Sequence, residues 1–180
     1  MTAADILAPP KRAGWPSILL ARAGEKDPVD LDAATKAGAF QALRKVVTEL
    51  GPTATIAEVA ASGLRGRGGA GFPTGEKWRA AASVEAPRRY VVANGYGADP
   101  AVQTDRLLLA RDPYAVLEGT AIAAFAVGAT EAIIAVRGEA SEAVAASRSS
   151  GRRIPPKLGC SAPRPSSRTS RRSPRSRGSS

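Results

Sequence analysis

Residues 62–78 read SGLRGRGGAGFPTGEKW, and the fold on either side is organised around them. Seven of these seventeen residues are glycine or alanine, and three are cationic: Arg65, Arg67 and Lys77. Backbone without side chains lets amide N–H groups approach an anion closely, and successive amides form a concave nest for phosphate oxygens. Pro73-Thr74-Gly75 turns the chain, so that a helix from about Glu76 directs its positive N-terminal end at the same place. Such a loop suits a phosphorylated cofactor; a glycine turn that serves only tight packing is the alternative.

Gly66-Arg67-Gly68-Gly69-Ala70-Gly71 has the spacing G-x-G-x-x-G. The dinucleotide-binding turn with that spacing follows a strand, opens a helix and finds an acidic residue ~20 positions on. Here TIAEVAAS (55–62) reads as helix, and the first strand comes only at Tyr90. The spacing therefore does not mark the usual strand–turn–helix fingerprint.

Upstream, apolar residues at Ala33, Ala37, Phe40, Leu43, Val46, Val47 and Leu50 predict one helix from Asp32 to Leu50, stopped by Gly51-Pro52. A short helix near 55–61 ends at Ser62-Gly63, and another is expected over 75–83. Downstream, RYVVAN (89–94) predicts a strand and 102–111 a helix. Asp112-Pro113 supplies an N-cap and a preferred first helical residue for a helix to Val127, with Val116, Leu117, Ala121, Ala124 and Phe125 on its apolar face and Gly128 closing it. EAIIAVR (131–137) is a second strand, and a helix is expected from Gly138. Strand, helix, strand, helix implies an α/β class with a parallel unit. Residues 1–30, broken by Pro9, Pro10, Pro16 and Pro28, read as an irregular N-terminal segment, and 31–147 as the α/β domain.

The net charge of +10 suggests a nucleic-acid or anionic-membrane partner until it is located. Residues 148–180 hold ten of the 26 basic residues and no acidic one, so the other sixteen balance all sixteen acids in residues 1–147. The body is neutral; only the Arg/Ser/Pro-rich tail is basic, and its composition predicts disorder. A nucleic-acid binder working through that tail lacks interleaved aromatics and ranks last. The single cysteine, Cys160, provides neither an intrachain disulfide nor an iron–sulfur cluster site, and there is no histidine to help bind zinc. The longest apolar stretch, 119–130, is too short to span a bilayer, so a cytoplasmic protein without direct membrane insertion is expected.

The string SGLRGRGGAGFPTGEKW resembles the flavin- and NADH-binding signature of the flavoprotein subunit of respiratory NADH:quinone oxidoreductase (complex I), shared by NAD-reducing hydrogenases and NAD-dependent formate dehydrogenases. AGAFQALRKVV, RYVVANGYGADP and TDRLLLARDPYAVLEGTAIAAFAVGATEAIIAVRGE extend the likeness over residues 30–143. The resemblance implies a partial Rossmann-like FMN-binding domain, with FMN and NAD(H) as cofactors, hydride transfer from NADH to FMN, and partner subunits, a small iron–sulfur subunit among them. It implies that Gly66, Arg67, Gly68, Gly69, Ala70 and Gly71 line the cofactors, that Phe72 packs on the nicotinamide nucleotide, that Lys77 meets the FMN phosphate, and that Asn94 hydrogen-bonds the flavin. Asp99 shortens one acid of the family's run after the strand; Tyr96 and Gly97 replace two others, and Ala80 stands where an aromatic covers the nucleotide. The family's later nucleotide-binding segment, ubiquitin-like domain and cluster-bearing cap are not recognised. The abrupt tail is read as a truncated or frame-shifted end. A non-catalytic phosphate- or nucleotide-binding module is the second functional reading.

Overall fold

The structure, a computed structural model, describes residues 18–22, 27–98, 104–137 and 145–146. The elements run α1 (Leu31–Lys36), α2 (Gln41–Lys45), a π-helical turn (Val46–Leu50), α3 (Gly51–Ala61), α4 (Thr74–Ser83), β1 (Tyr90–Gly95), α5 (Thr104–Arg111), α6 (Pro113–Val127) and β2 (Glu131–Val136). Of the helix expected from 138 only residues 145–146 are described, and these are helical; the tail from 148 lies outside the described residues.

The single helix expected over 32–50 is instead two, and the break has a physical cause. Gly38 has φ 96° and Phe40 φ 64°, the latter costly for a side-chain-bearing residue. The turn drives Phe40 into the core, edge-on to Tyr114 with ring centroids 5.9 Å apart. Such a pair contributes about 0.5–1.5 kcal/mol beyond its buried area, which offsets part of the backbone cost. A second break falls at Gly51 (φ 75°), and Pro52 occupies the first turn of α3, where its missing N–H costs nothing. Gly51-Pro52 thus separates two helices, as expected, but α3 starts there rather than near 55.

Helix α6 is the axis of the domain. Asp112 caps it, its Oδ1 accepting the Ala115 amide at 3.1 Å, and Gly128 closes it in the left-handed conformation. The expected single apolar face is too narrow. Tyr114, Leu117, Thr120, Ala121, Ala123, Ala126 and Val127 are all buried, because α6 is packed by α2, α3, α4 and α5 and by the sheet. The alanines of α6 permit this, since small side chains let several neighbours approach one helix.

β1 and β2 pair in parallel with Tyr90 opposite Glu131 and Gly95 opposite Val136, joined by the α5–α6 crossover. Val91, Ala93, Ala132, Ile134 and Val136 are half-buried on the helix side, while Tyr90, Val92 and Ile133 stand exposed on the other. Among the described residues the sheet has two parallel strands with helices on one face, as in α/β folds. At the N-terminal side, Arg22 forks onto Asp112 at 2.9 and 3.1 Å, and Tyr114 Oη donates to the Val29 carbonyl at 2.7 Å. These bonds tie Arg22 and Val29 to the head of α6.

Candidate functional site

The glycine stretch connects α3 to α4 as a short antiparallel neck with an open head. At the neck the Gly66 amide donates to the Phe72 carbonyl at 2.9 Å and the Thr74 amide to the Leu64 carbonyl at 2.8 Å, with Arg65 bridged to Pro73. Residues 67–71 form the head. Gly69 (φ 116°) and Gly71 (φ 60°) reverse the chain there, in conformations side-chain-bearing residues rarely adopt. A methyl group placed on Gly68, Gly69 or Gly71 would meet nothing within 4 Å, so the head opens onto free space. Among the described residues the amides of Gly68, Gly69, Ala70 and Gly71 find no acceptor. An exposed row of unspent donors on a glycine backbone is the donor set an anion requires.

Gly75 performs the opposite task. A methyl group on it would lie 2.5 Å from Ala60 Cα and 2.8 Å from Ala60 N, so the first turn of α4 packs directly on the α3 backbone. This close approach fixes where α4 begins, and hence the distance between the neck and the helix end. Pro73 stands at the N-cap without a side-chain bond, leaving the positive end of α4 beside the loop. Lys77, in the first turn of α4, is exposed. The head, the α4 N-terminus and Lys77 therefore belong to one short segment of chain.

The two arginines act differently from the simple expectation of free cations. Arg65 Nη1 donates to the Gly71 carbonyl at 2.9 Å, across the neck. Arg67 Nη1 donates to the Arg65 carbonyl at 2.9 Å and, more weakly, to the Gly66 carbonyl at 3.4 Å. Phe72 projects from the loop with 54 % of its surface exposed, leaving a flat apolar face available. Gly66 at the neck and Gly71 at the end of the head are half-buried; Arg67, Gly68, Gly69 and Ala70 are exposed.

Asn94 sits apart from this unit, at the C-terminal end of β1. Its Oδ1 accepts the Tyr96 amide at 3.1 Å, so the side chain shapes the turn leaving the strand. That end of a parallel strand is where α/β folds hold ligands. Asp99 lies outside the described residues. Beyond the strand, Arg137 stacks over the Tyr96 ring at 5.1 Å, linking the ends of β1 and β2. Among the described residues no group of three or more His, Cys, Asp or Glu side chains gathers as a metal site, and no helix is long and apolar enough to cross a membrane.

Sequence reasoning missed the arginine–carbonyl bonds and the Gly75–Ala60 contact. The second had a signal, a glycine at the first turn of a helix where any residue would serve; the first had none.

The chain is similar to known proteins in sequence and fold. Residues 59–155 match the Nuo51 FMN-binding domain family. An NADH-quinone oxidoreductase subunit of Aquifex aeolicus is 42 % identical over 123 residues, covering 68 % of this chain and 28 % of that protein. The alpha subunit of the NAD-reducing hydrogenase HoxS of Cupriavidus necator is 44 % identical over 90 residues, covering 50 % of this chain and 15 % of that protein. The crystal structure of an NAD+-reducing NiFe-hydrogenase in the air-oxidised state superposes with a TM-score of 0.63 at 30 % identity, over 80 % of this chain and 23 % of that one. The chain thus spans little more than a quarter of the Aquifex relative's length.

Proposed function

The chain belongs to the Nuo51 FMN-binding domain family, and we propose that its glycine loop and the start of α4 hold the phosphorylated end of FMN, within a protein that takes reducing equivalents from NADH. One observation carries this reading: among the described residues the amides of 68–71 find no acceptor, on a glycine loop with open room at Gly68, Gly69 and Gly71 that leads into the N-terminus of α4. A dianionic phosphate matches that donor set in charge and in the number of bonds it accepts. Lys77 adds an exposed cation to the same segment, and Phe72 offers an exposed aromatic face for a planar ring of the nicotinamide nucleotide. Asn94, near the end of β1, would meet the flavin from the strand side, and Asp99, five residues further along the chain, is the second polar group assigned to it.

FMN, when bound, supplies an acceptor for the hydride of a reduced nicotinamide. The protein's own contribution is to bind and orient both nucleotides by amides, cations and one aromatic ring. Electrons would then pass to other subunits of an NADH-oxidising complex on the cytoplasmic side of the membrane, a small iron–sulfur subunit being the natural recipient. This chain contributes one cysteine, too few to hold a cluster alone.

Titration of the purified full-length chain with FMN, followed by flavin absorbance and fluorescence, tests the proposal. Uptake of FMN, weakened by salt and followed by NADH-dependent bleaching with little sustained turnover, is the expected result. A colourless protein that binds NAD or ATP but no flavin would make it a non-catalytic nucleotide module instead.

A further inference from the structure

We propose that Arg65 is a positioning residue for the phosphate-binding loop, acting through the Gly71 carbonyl rather than by touching the ligand; this rests on the FMN reading of the same loop. A glycine-rich head is soft, because each of its peptide planes can present either N–H or C=O to a given side at little cost. An anion needs the N–H side; one flipped peptide would present a repelling oxygen instead. The C=O and N–H of one trans peptide point in opposite directions, so holding a carbonyl sets where the next residue's amide points.

Arg65 Nη1 holds the Gly71 carbonyl at 2.9 Å, which turns the Phe72 amide away from the guanidinium. Arg67 Nη1, on the Arg65 carbonyl at 2.9 Å and the Gly66 carbonyl at 3.4 Å, does the same for the peptides entering the head. The two guanidinium groups thus hold the peptide planes that enter and leave the head, 65–67 and 71–72, and so limit how the donor peptides strung between them can turn. Gly71 has φ 60°, and among the described residues its carbonyl has no hydrogen bond besides the one from Arg65. Arg65 is exposed, and its side chain is spent on the loop's own backbone.

The test compares R65A and R65K with the unaltered full-length chain. Amide spectra and hydrogen exchange of residues 67–72 are recorded without ligand, and FMN affinity is measured by fluorescence. R65A should shift the 67–72 amides, speed their exchange and weaken FMN binding about fivefold to tenfold, the worth of one net hydrogen bond. R65K keeps one donor and should recover part of both effects. Unchanged ligand-free spectra with lost affinity would overturn the inference, because Arg65 would then be contacting the ligand itself. Unchanged affinity would overturn it as well. Failure of the unaltered chain to bind FMN would sink the functional reading, while the ligand-free spectra still decide whether Arg65 orders the loop.

Discussion

Gly75 and Ala60 touch backbone to backbone: a methyl group on Gly75 would stand 2.5 Å from both Cα and Cβ of Ala60. Through this contact α3 and α4 meet at the base of the glycine loop, and the loop's two ends are held at a set spacing. Gly75 is therefore required for packing, whereas Gly68 and Gly69 are required for openness and chain reversal. One motif contains glycines of two physical kinds.

G75A should destabilise the domain by about 1–3 kcal/mol, the usual cost of overpacking. A60G should not rescue it, because Ala60 Cα and N, at 2.5 and 2.8 Å, crowd the site as closely as the methyl group that A60G removes. Urea denaturation of the single and double variants measures this. Full rescue would show that the clash is with the side chain alone.

Buried Glu118, in the middle of α6, caps another helix. Its Oε1 accepts the Leu43 amide at 3.1 Å, and α2 has no side-chain cap of its own because Phe40 occupies that position. E118A should cost about 1–3 kcal/mol by leaving a buried donor without a partner. E118Q keeps an oxygen and should cost less. Exchange of the Leu43 amide should rise in E118A, which localises the effect to the cap.

Asp112 both caps α6 and pairs with Arg22. D112N retains a cap oxygen and loses the charge opposite Arg22; D112A loses both. D112A should therefore be the less stable, by about 1 kcal/mol, the typical worth of an N-cap. Thermal unfolding of the two variants gives the comparison, and equal stability would assign the whole contribution to the ion pair.

Phe72 is more than half exposed, so F72A should leave stability within about 0.5 kcal/mol of the parent chain. Its effect should fall on NADH binding, weakened severalfold with FMN affinity nearly unchanged. Melting curves and paired NADH and FMN titrations check both halves. A large loss of stability would show that Phe72 packs against the domain instead of facing a ligand.

What could be read along the chain were the features that depend on near neighbours. Asp112-Pro113 and Gly128 mark the ends of α6 because a cap, a fixed φ and a left-handed closure each act within a turn of helix. The two strands and their parallel pairing followed from short apolar runs separated by helical sequence, and the bare loop from its composition. Other features depended on which distant groups meet. The break at Gly38–Phe40 was hidden, because the helical spacing of apolar residues continues through it and only the pull of Tyr114 reveals the turn. The cap that Glu118 gives α2 joins residues 75 positions apart. Arg65 and Arg67 looked like free charge for a phosphate, yet their guanidinium groups lie on the loop's own carbonyls. Local rules specify conformation within a turn or two, but the partner that each polar group finds is decided by the folded chain, where packing sets the few distances at which a hydrogen bond can form.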